Sequence, residues 1–206
     1  MTELHKILVE RFGEKMVSEI PVKEGEIPLL LVKTTSKSPV TVLMTNGLSD
    51  YKMPVPDKWK AFEFNELYFC LPGYWQIHDR DNLQMNWVFP WIQRLTKFVL
   101  ETETWFGHGH TMPCGAEKKS LSLTMKQNHF FLSNPILLEK ELEAVNLSDR
   151  KVHFLAIIPI FKNEMDYKQR KGTIKFLQSL NNKGITEKMD DFRISVKSSK
   201  WSLFKK

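Results

Sequence analysis

The run KVHFLAIIPIF at residues 151–161 constrains the fold of this chain more than any other feature. β-Branched and aromatic residues dominate it, and at this length it is typical of a strand that is buried on both faces of a sheet. Pro159 lacks the N–H group that a strand ladder needs, so we expect it to end the pairing of this strand. The sequence therefore predicts a sheet with further strands beside this one.

Shorter segments supply the other predicted strands. Residues 27–33 and 40–45 are rich in β-branched side chains and are separated by a turn-forming stretch, which predicts a hairpin. Residues 64–71 alternate in polarity and end at a Pro-Gly pair, as a third strand would. Residues 120–125 and 128–132 also have the composition of strands.

Three segments have helical spacing. Residues 4–16 place apolar side chains at i, i+3, i+4 and i+8. Residues 86–101 carry the most apolar pattern, with Pro90 tolerable only in a first turn. Residues 163–180 predict a helix or a helix pair that is broken near Gly172. This mixed order of strands and helices favours the α+β class over a strictly alternating parallel fold.

Length and composition predict one domain with a large core. The chain has 206 residues, of which 42% are hydrophobic. Its longest apolar runs fall far short of the roughly 20 residues that a bilayer span needs, and its N-terminus lacks the pattern of a secretory signal. Only Cys70 and Cys114 are present, which gives no disulfide framework and suits a reducing compartment. We therefore expect a cytoplasmic protein without a membrane helix.

Positive charge is concentrated in the second half of the chain. The net charge is +6, and residues 104–206 carry 18 basic and 10 acidic side chains against 12 and 14 in residues 1–103. The excess gathers at residues 168–175 and in the tail at 197–206, where Trp201 and Phe204 lie among lysines. Such a stripe could attract nucleic acid, an acidic membrane or an acidic protein. Because charge blocks usually serve solubility, we expect a solvated surface and keep nucleic-acid binding as an alternative.

The segment Gly107-His108-Gly109-His110, with Cys114 four residues on, is the most suggestive cluster for a metal, since imidazole and thiolate are zinc ligands. A zinc site needs three or four ligands, and the remaining histidines fall into no paired motif. His108 and His110 would also point to opposite faces of an extended segment. We expect no metal here, and glycines that permit a tight loop. A hydrolase or metal enzyme built on His108, His110 and Cys114 is the alternative.

The motifs of common enzymes are missing from the sequence. It contains no G-x-S-x-G elbow, no G-x-x-x-x-G-K-[ST] phosphate loop, no G-x-G-x-x-G after a strand and no H-E-x-x-H helix. Cys70 lies in an apolar predicted strand and should be an inert core thiol. We therefore expect no catalytic residue and no cofactor.

Tryptophans favour a protein-binding function. Trp87 and Trp91 have the helical spacing of core residues, whereas Trp75 and Trp105 lie in predicted loops. Loop aromatics next to Gly and His are enriched at protein interfaces, where they provide a large contact area at low entropic cost. Trp75 and Trp105 are therefore candidate contact residues.

Four segments together, in this order and spacing, resemble the Suppressor of fused (SUFU) domain family. They are residues 45–50 (TNGLSD), residues 66–72 (ELYFCLP) followed by Trp75, the helix over residues 87–98, and residues 104–111 (TWFGHGHT). Fainter similarity follows at Pro159 with Glu164, and at Gly172 before Phe176 and Leu177. The resemblance spans roughly residues 25–196, so we expect a single domain over residues 1–206 with an N-terminal helix and a basic tail flanking this core.

The resemblance implies a mixed β-sheet with helices packed on it, in an α/β/α sandwich-like single domain with no known catalytic activity. Animal members of the family sequester zinc-finger transcription factors, and bacterial single-domain members are thought to neutralise polymorphic toxins as immunity proteins. The short chain favours the bacterial type, so the predicted partner is a toxin. A regulator that binds a nucleic-acid-associated protein is an alternative.

The candidate partner-binding residues are Asp50, Trp75, Trp105, His108 and His110. They lie in predicted loops at residues 46–56, 72–81 and 105–113, and functional loops tend to cluster on a rigid scaffold. We expect the three loops to lie close together and to face the partner. In this hypothesis Asp50 orients its own loop through local backbone bonds, the two tryptophans supply apolar contact, and His110 holds the third loop in shape.

Overall fold

One mixed β-sheet organises the chain. A computed structural model describes residues 1–35, 39–115 and 119–197. The strands are β1 (Val17–Ile20), β2 (Leu29–Lys33), β3 (Val40–Thr45), β4 (Asn65–Pro72), β5 (Thr111–Pro113), β6 (His129–Ser133), β7 (Val145–Asn146) and β8 (Lys151–Ile160). The helices are α1 (Glu3–Phe12), α2 (Val88–Glu101), α3 (Lys162–Lys171) and α4 (Thr173–Asn181). Across the sheet the strands follow the order β1-β2-β3-β4-β8-β6-β5, and β7 pairs with β8 outside that path.

The buried strand predicted at residues 151–161 is confirmed as β8, which lies near the centre of the sheet. It runs parallel to β4 and antiparallel to β6. The prediction that Pro159 ends its pairing is wrong, because Pro159 lies opposite Phe130 and the next residue, Ile160, is also paired with β6. The proline is tolerated because the parallel ladder to β4 ends at Ala156, so among the described strands β6 alone pairs with β8 at this position.

Helices cover both faces of the sheet, which confirms the predicted α+β class and the α/β/α sandwich-like arrangement. On one face, α2 packs Val88, Ile92, Leu95 and Val99 onto a layer of strand side chains. The opposite face is covered by α1 and α4. Their buried side chains are Leu4, Leu8, Phe176 and Leu180.

Glycines end two of the helices where left-handed backbone is required. The predicted opening helix stops at Phe12 rather than at Met16, because Gly13 has φ of 97° and redirects the chain into β1. The predicted break near Gly172 is confirmed, since its φ of 83° separates α3 from α4.

Residues 120–125 were predicted as a strand, and this prediction is wrong. The Ser122 hydroxyl accepts the backbone N–H of Met125 at 3.1 Å, and the Leu121 N–H donates to the Gln127 carbonyl at 3.2 Å. These local bonds close a turn, in which Leu123 is exposed and Met125 is buried. The strand-like composition of the segment therefore belongs to a loop that buries one side chain.

Candidate functional site

Two of the predicted binding loops meet at one end of the sheet. Residues 46–56 leave the end of β3, and residues 105–110 lead into β5. Strand pairing brings these two loops to the same end of the sheet. β3 is antiparallel to β4, β8 is parallel to β4, and β6 is antiparallel to β8, so the end of β3 and the end of β6 lie on the same side. The contact is direct, since the backbone N–H of Phe106 donates to the Met53 Sδ at 3.4 Å. We call this end of the sheet the site end.

The third predicted loop, residues 72–81, lies elsewhere. It leaves the opposite end of β4, an eight-residue strand that spans about 25 Å. The expectation that all three loops form one surface is therefore wrong for this loop.

Trp75, in that third loop, is a core residue. Only 6% of it is exposed, its indole N–H donates to the Met85 carbonyl at 3.1 Å, and its ring packs edge-on against Trp87 with 6.0 Å between centroids. The loop folds back over the start of α2 and so buries the side chain. The expectation that Trp75 supplies exposed contact area does not fit this position.

A cleft of about 160 Å³ opens at the site end. Three of the candidate residues, Trp105, His108 and His110, line it. Sequence reasoning missed its other wall, which Trp59 and Phe62 provide from a short 3-10 helix over Asp57–Phe62. The cleft is therefore mainly aromatic, and its polar lining residues are His108, His110, Asn65 and Asn134.

His108 is fixed as a neutral ring. Its Nδ1 accepts a hydrogen bond from the backbone N–H of Asn134 at 3.1 Å, which leaves the ring proton on Nε2. Partial burial, aided by the positive charge of Lys168, lowers the pKa of His108 below its ordinary value. The imidazole is therefore uncharged at neutral pH.

His110 and Trp105 form one aromatic unit. Their rings meet edge to face with 4.3 Å between centroids, and both side chains are half-buried. The backbone on each side of His110 is anchored to β6, because the Gly109 N–H donates to the Leu132 carbonyl at 2.8 Å and the Leu132 N–H donates to the His110 carbonyl at 2.9 Å. Burial, again aided by Lys168, lowers the pKa of His110.

Close packing explains the two glycines of the Gly-His-Gly-His segment. A Cβ at Gly107 would lie 2.5 Å from Cζ3 of Trp105. A Cβ at Gly109 would lie 2.8 Å from Oγ1 of Thr173, and its φ of +91° also disfavours other residues. The glycines therefore let the Trp105 ring and helix α4 approach the loop closely.

Glu66 holds the loop that carries Asp50. This carboxylate is fully buried and accepts the backbone N–H groups of Gly47 at 3.0 Å, Leu48 at 3.2 Å and Ser49 at 3.0 Å. The Thr45 hydroxyl donates to it as well. Burial raises the pKa of Glu66, and these hydrogen bonds offset part of the rise. The sequence signal for this role was one acidic residue inside an otherwise apolar strand.

Asp50 is exposed and is held by a partner far along the chain. The hypothesis that it orients its loop through local backbone bonds is wrong, since Glu66 does so. The Asp50 carboxylate instead pairs with the guanidinium of Arg150, the residue that precedes β8. Arg150 also pairs with Asp149 at 2.9 Å. This pairing fixes Asp50 at the rim of the site end.

Cys114 does not join the two histidines in the cleft. Its thiol is buried in the core on the α2 side of the sheet, and burial raises its pKa well above the ordinary range. Within residues 1–35, 39–115 and 119–197, no group of three or more His, Cys, Asp or Glu side chains is arranged to hold a metal ion. The trio His108, His110 and Cys114 is therefore not assembled as one reactive cluster.

Pro159 and Glu164, where the fainter sequence similarity lies, both contact Arg193. Arg193 donates to both carboxylate oxygens of Glu164 at 2.7 Å and to the Pro159 carbonyl at 2.9 Å. Glu164 also accepts the Phe161 N–H at 3.0 Å and so caps α3. These residues join β8, α3 and the segment at Arg193, and they lie away from the cleft.

The basic stripe is only partly visible. Residues 168–175 lie at the end of α3 and the start of α4, while most of the tail at 197–206 lies outside the described residues. In the part of the chain that the structure covers, no helix is long and apolar enough to cross a membrane.

Fold and site together define an α/β/α domain with an aromatic cleft built from loops at one end of its sheet. A family model for the Suppressor of fused protein (SUFU) matches residues 24–193. The chain belongs to this family. Among curated proteins, no sequence matches it.

Solved structures share the fold. A chain of the Sufu–Fu complex has a TM-score of 0.65 and 16% identity, with 94% of this chain and 90% of that chain covered. Drosophila Suppressor of Fused has a TM-score of 0.60 and 19% identity over 84% of this chain, which spans only 44% of the Drosophila chain. A SUFU homologue from Neisseria gonorrhoeae has a TM-score of 0.65 and 14% identity, with 93% and 96% covered. At these identities the likeness concerns the fold.

Proposed function

We propose that this chain is a protein-binding module without enzymatic activity, and that it acts in the bacterial cytoplasm as an immunity protein that neutralises a toxin by stoichiometric binding. The observation that carries the proposal is the aromatic cleft at the site end. Its loops are held in place by close packing and by a buried carboxylate, so the surface is formed before a partner arrives. Preorganisation of this kind reduces the entropic cost of binding.

Family membership supports a protein as the partner. One similar structure is a Sufu–Fu complex, and another is a SUFU homologue from the bacterium Neisseria gonorrhoeae. Both cysteines are free and buried, as suits a reducing cytoplasm.

The cleft suits one large apolar side chain of the partner. Its volume of about 160 Å³ matches a single aromatic or branched aliphatic group. Trp105 and His110 form one wall and Trp59 the other, while the His108 ring and the Asn134 side chain supply polar contacts. Asp50 at the rim adds a charge that orients the partner. Protective binding needs a dissociation constant on the order of nanomolar, which a central buried anchor provides and rim charge alone does not.

The charge of the chain restricts the toxin. Inhibitors that plug the active site of a basic nuclease are expected to be acidic, whereas this chain carries a net charge of +6. We therefore propose an acidic toxin, or one that is occluded away from a nucleic-acid groove.

The test is to express the toxin-like product of the adjacent gene in bacteria, with and without this protein. Restored growth at equimolar expression is the expected result. Undiminished toxicity in the presence of the intact, folded protein would reject the immunity role for that pair.

A further inference from the structure

The cleft at the site end has a polar group at its floor. Asn65 and Leu155 are the lining side chains that are buried, with 1% and 2% of their surfaces exposed. The rings of Trp105 and His110 are half-buried, and Asn134 is exposed. The cleft therefore runs from an exposed rim, past aromatic walls, to a floor that holds one amide and one apolar side chain.

The floor amide has a fixed orientation. Nδ2 of Asn65 donates to the Phe62 carbonyl at 2.7 Å and lies 3.8 Å from Sδ of Met53. Both neighbours are acceptors, so the nitrogen must face them and Oδ1 must face the other way. Among the described residues Oδ1 has no hydrogen-bond partner, and it is not sealed in the interior as the unpartnered Oε1 of Gln127 is. The cleft, which Asn65 lines, is therefore the opening that reaches this acceptor.

An unpaired acceptor at the floor favours an occupant with a donor at its tip. Tyrosine combines a flat ring, which suits the aromatic walls, with a terminal O–H donor. A phenylalanine ring would shut Oδ1 of Asn65 away from water without a partner, and an unpaired buried acceptor carries a desolvation penalty. We propose that the cleft selects a tyrosine side chain of the partner, whose hydroxyl donates to Oδ1 of Asn65. This inference rests on the proposed protein-binding role and names the residue that the partner inserts.

A positively charged occupant fits the cleft less well. Aromatic walls can hold a lysine or an arginine, and both side chains also carry donors. The described residues that line the cleft, however, include no Asp or Glu to compensate a buried cation. Burial and, to a smaller extent, the positive charge of Lys168 lower the pKa of both His108 and His110, so this charge acts on the cleft wall. A cation in the cleft would be repelled, whereas a neutral phenol would not.

The probes for the test are three blocked amino acids, the N-acetyl amides of tyrosine, phenylalanine and O-methyltyrosine, each titrated into the isotopically labelled full chain. The NMR shift of the Trp105 indole N–H reports the affinity. The tyrosine compound should bind at least about fivefold more tightly than the other two, which lack the O–H donor. Asn65→Leu should bring the three affinities close together, because it removes the acceptor. The matched control is Asn134→Leu, the same change at the exposed rim of the cleft, which should keep the preference.

The unmodified chain gives a second readout, which decides the question if Asn65→Leu does not fold. The ¹³Cγ shift of Asn65 should respond more strongly to the tyrosine compound than to the phenylalanine compound. The proposal is overturned by equal affinities for the three compounds, by shifts centred away from Trp105, by no binding up to the solubility limit, or by a preference that survives in folded Asn65→Leu. No toxin takes part in this test, so its failure leaves the immunity role standing, and failure of the immunity role leaves the tyrosine preference measurable.

Discussion

Substitution of Gly107 by Ala tests whether the site end depends on close packing. The new Cβ would lie 2.5 Å from Cζ3 and 3.2 Å from Cε3 of Trp105. Carbon atoms pack at about 3.5–4.0 Å, so the indole must move by about 1 Å. The ring rests on His110, with 4.3 Å between centroids, and this movement must disturb that contact.

The expected cost follows from two opposing effects. Overpacking of a filled site destabilises by about 1–3 kcal/mol. The reduced entropy of the unfolded chain with Ala offsets about 0.4–1 kcal/mol. Gly107→Ala should therefore lower the free energy of unfolding by about 1–2 kcal/mol and narrow or distort the cleft.

The assay is urea unfolding followed by circular dichroism, together with the NMR shift of the Trp105 indole N–H. Gly73→Ala is the matched control, because its Cβ would meet the Pro39 carbonyl oxygen at an ordinary 3.6 Å. It should therefore show only the effect on the unfolded chain, a gain of about 0.4–1 kcal/mol in the free energy of unfolding. If Gly107→Ala matched the wild type in both stability and indole shift, the packing argument would be refuted.

Two further predictions concern buried charge. Glu66→Gln places an NH₂ group against backbone donors and should lower the free energy of unfolding by about 3 kcal/mol. Amide exchange at Gly47 and Ser49 should become faster. The control Glu63→Gln loses only the ion pair with Lys52 at 3.6 Å, and it should lower the free energy of unfolding by less than about 1 kcal/mol. Burial lowers the pKa of His108, His110 and His153. Because the unfolded chain then binds protons more readily than the folded chain, the free energy of unfolding should decrease as pH falls below about 6.5. NMR titration of the three imidazoles checks this, and a midpoint above about 6.5 for any of them contradicts it.

Strong local patterns made much of the architecture predictable. The run that became β8 and the apolar stripe of α2 each bury a continuous set of side chains, so composition and period alone identified them. Gly172 marked the break between α3 and α4 because its backbone conformation is one that other residues avoid. The strand predicted at residues 120–125 was wrong, because a strand-like composition also fits a turn that buries Met125.

Relations between distant segments could not be predicted in this way. That β8 lies between β4 and β6 decides which loops share an end, and no local pattern encodes that order. Trp75 has the sequence context of an exposed loop residue, yet its loop folds over α2 and buries it. Glu66 was overlooked because its partners are backbone groups of another loop, which the sequence does not distinguish from any others.

The most direct test of the proposed partner-binding site is the affinity of the purified chain for the toxin-like product of the adjacent gene, measured by titration calorimetry. Trp105→Ala should weaken binding at least tenfold, since it removes one wall of the cleft. Tyr74→Ala is the control, because Tyr74 is an aromatic residue that is 51% exposed and follows the opposite end of β4. It should leave the affinity unchanged. Equal affinities for Trp105→Ala and the wild type, or a larger loss for Tyr74→Ala, would contradict the assignment of the site end as the partner-binding surface.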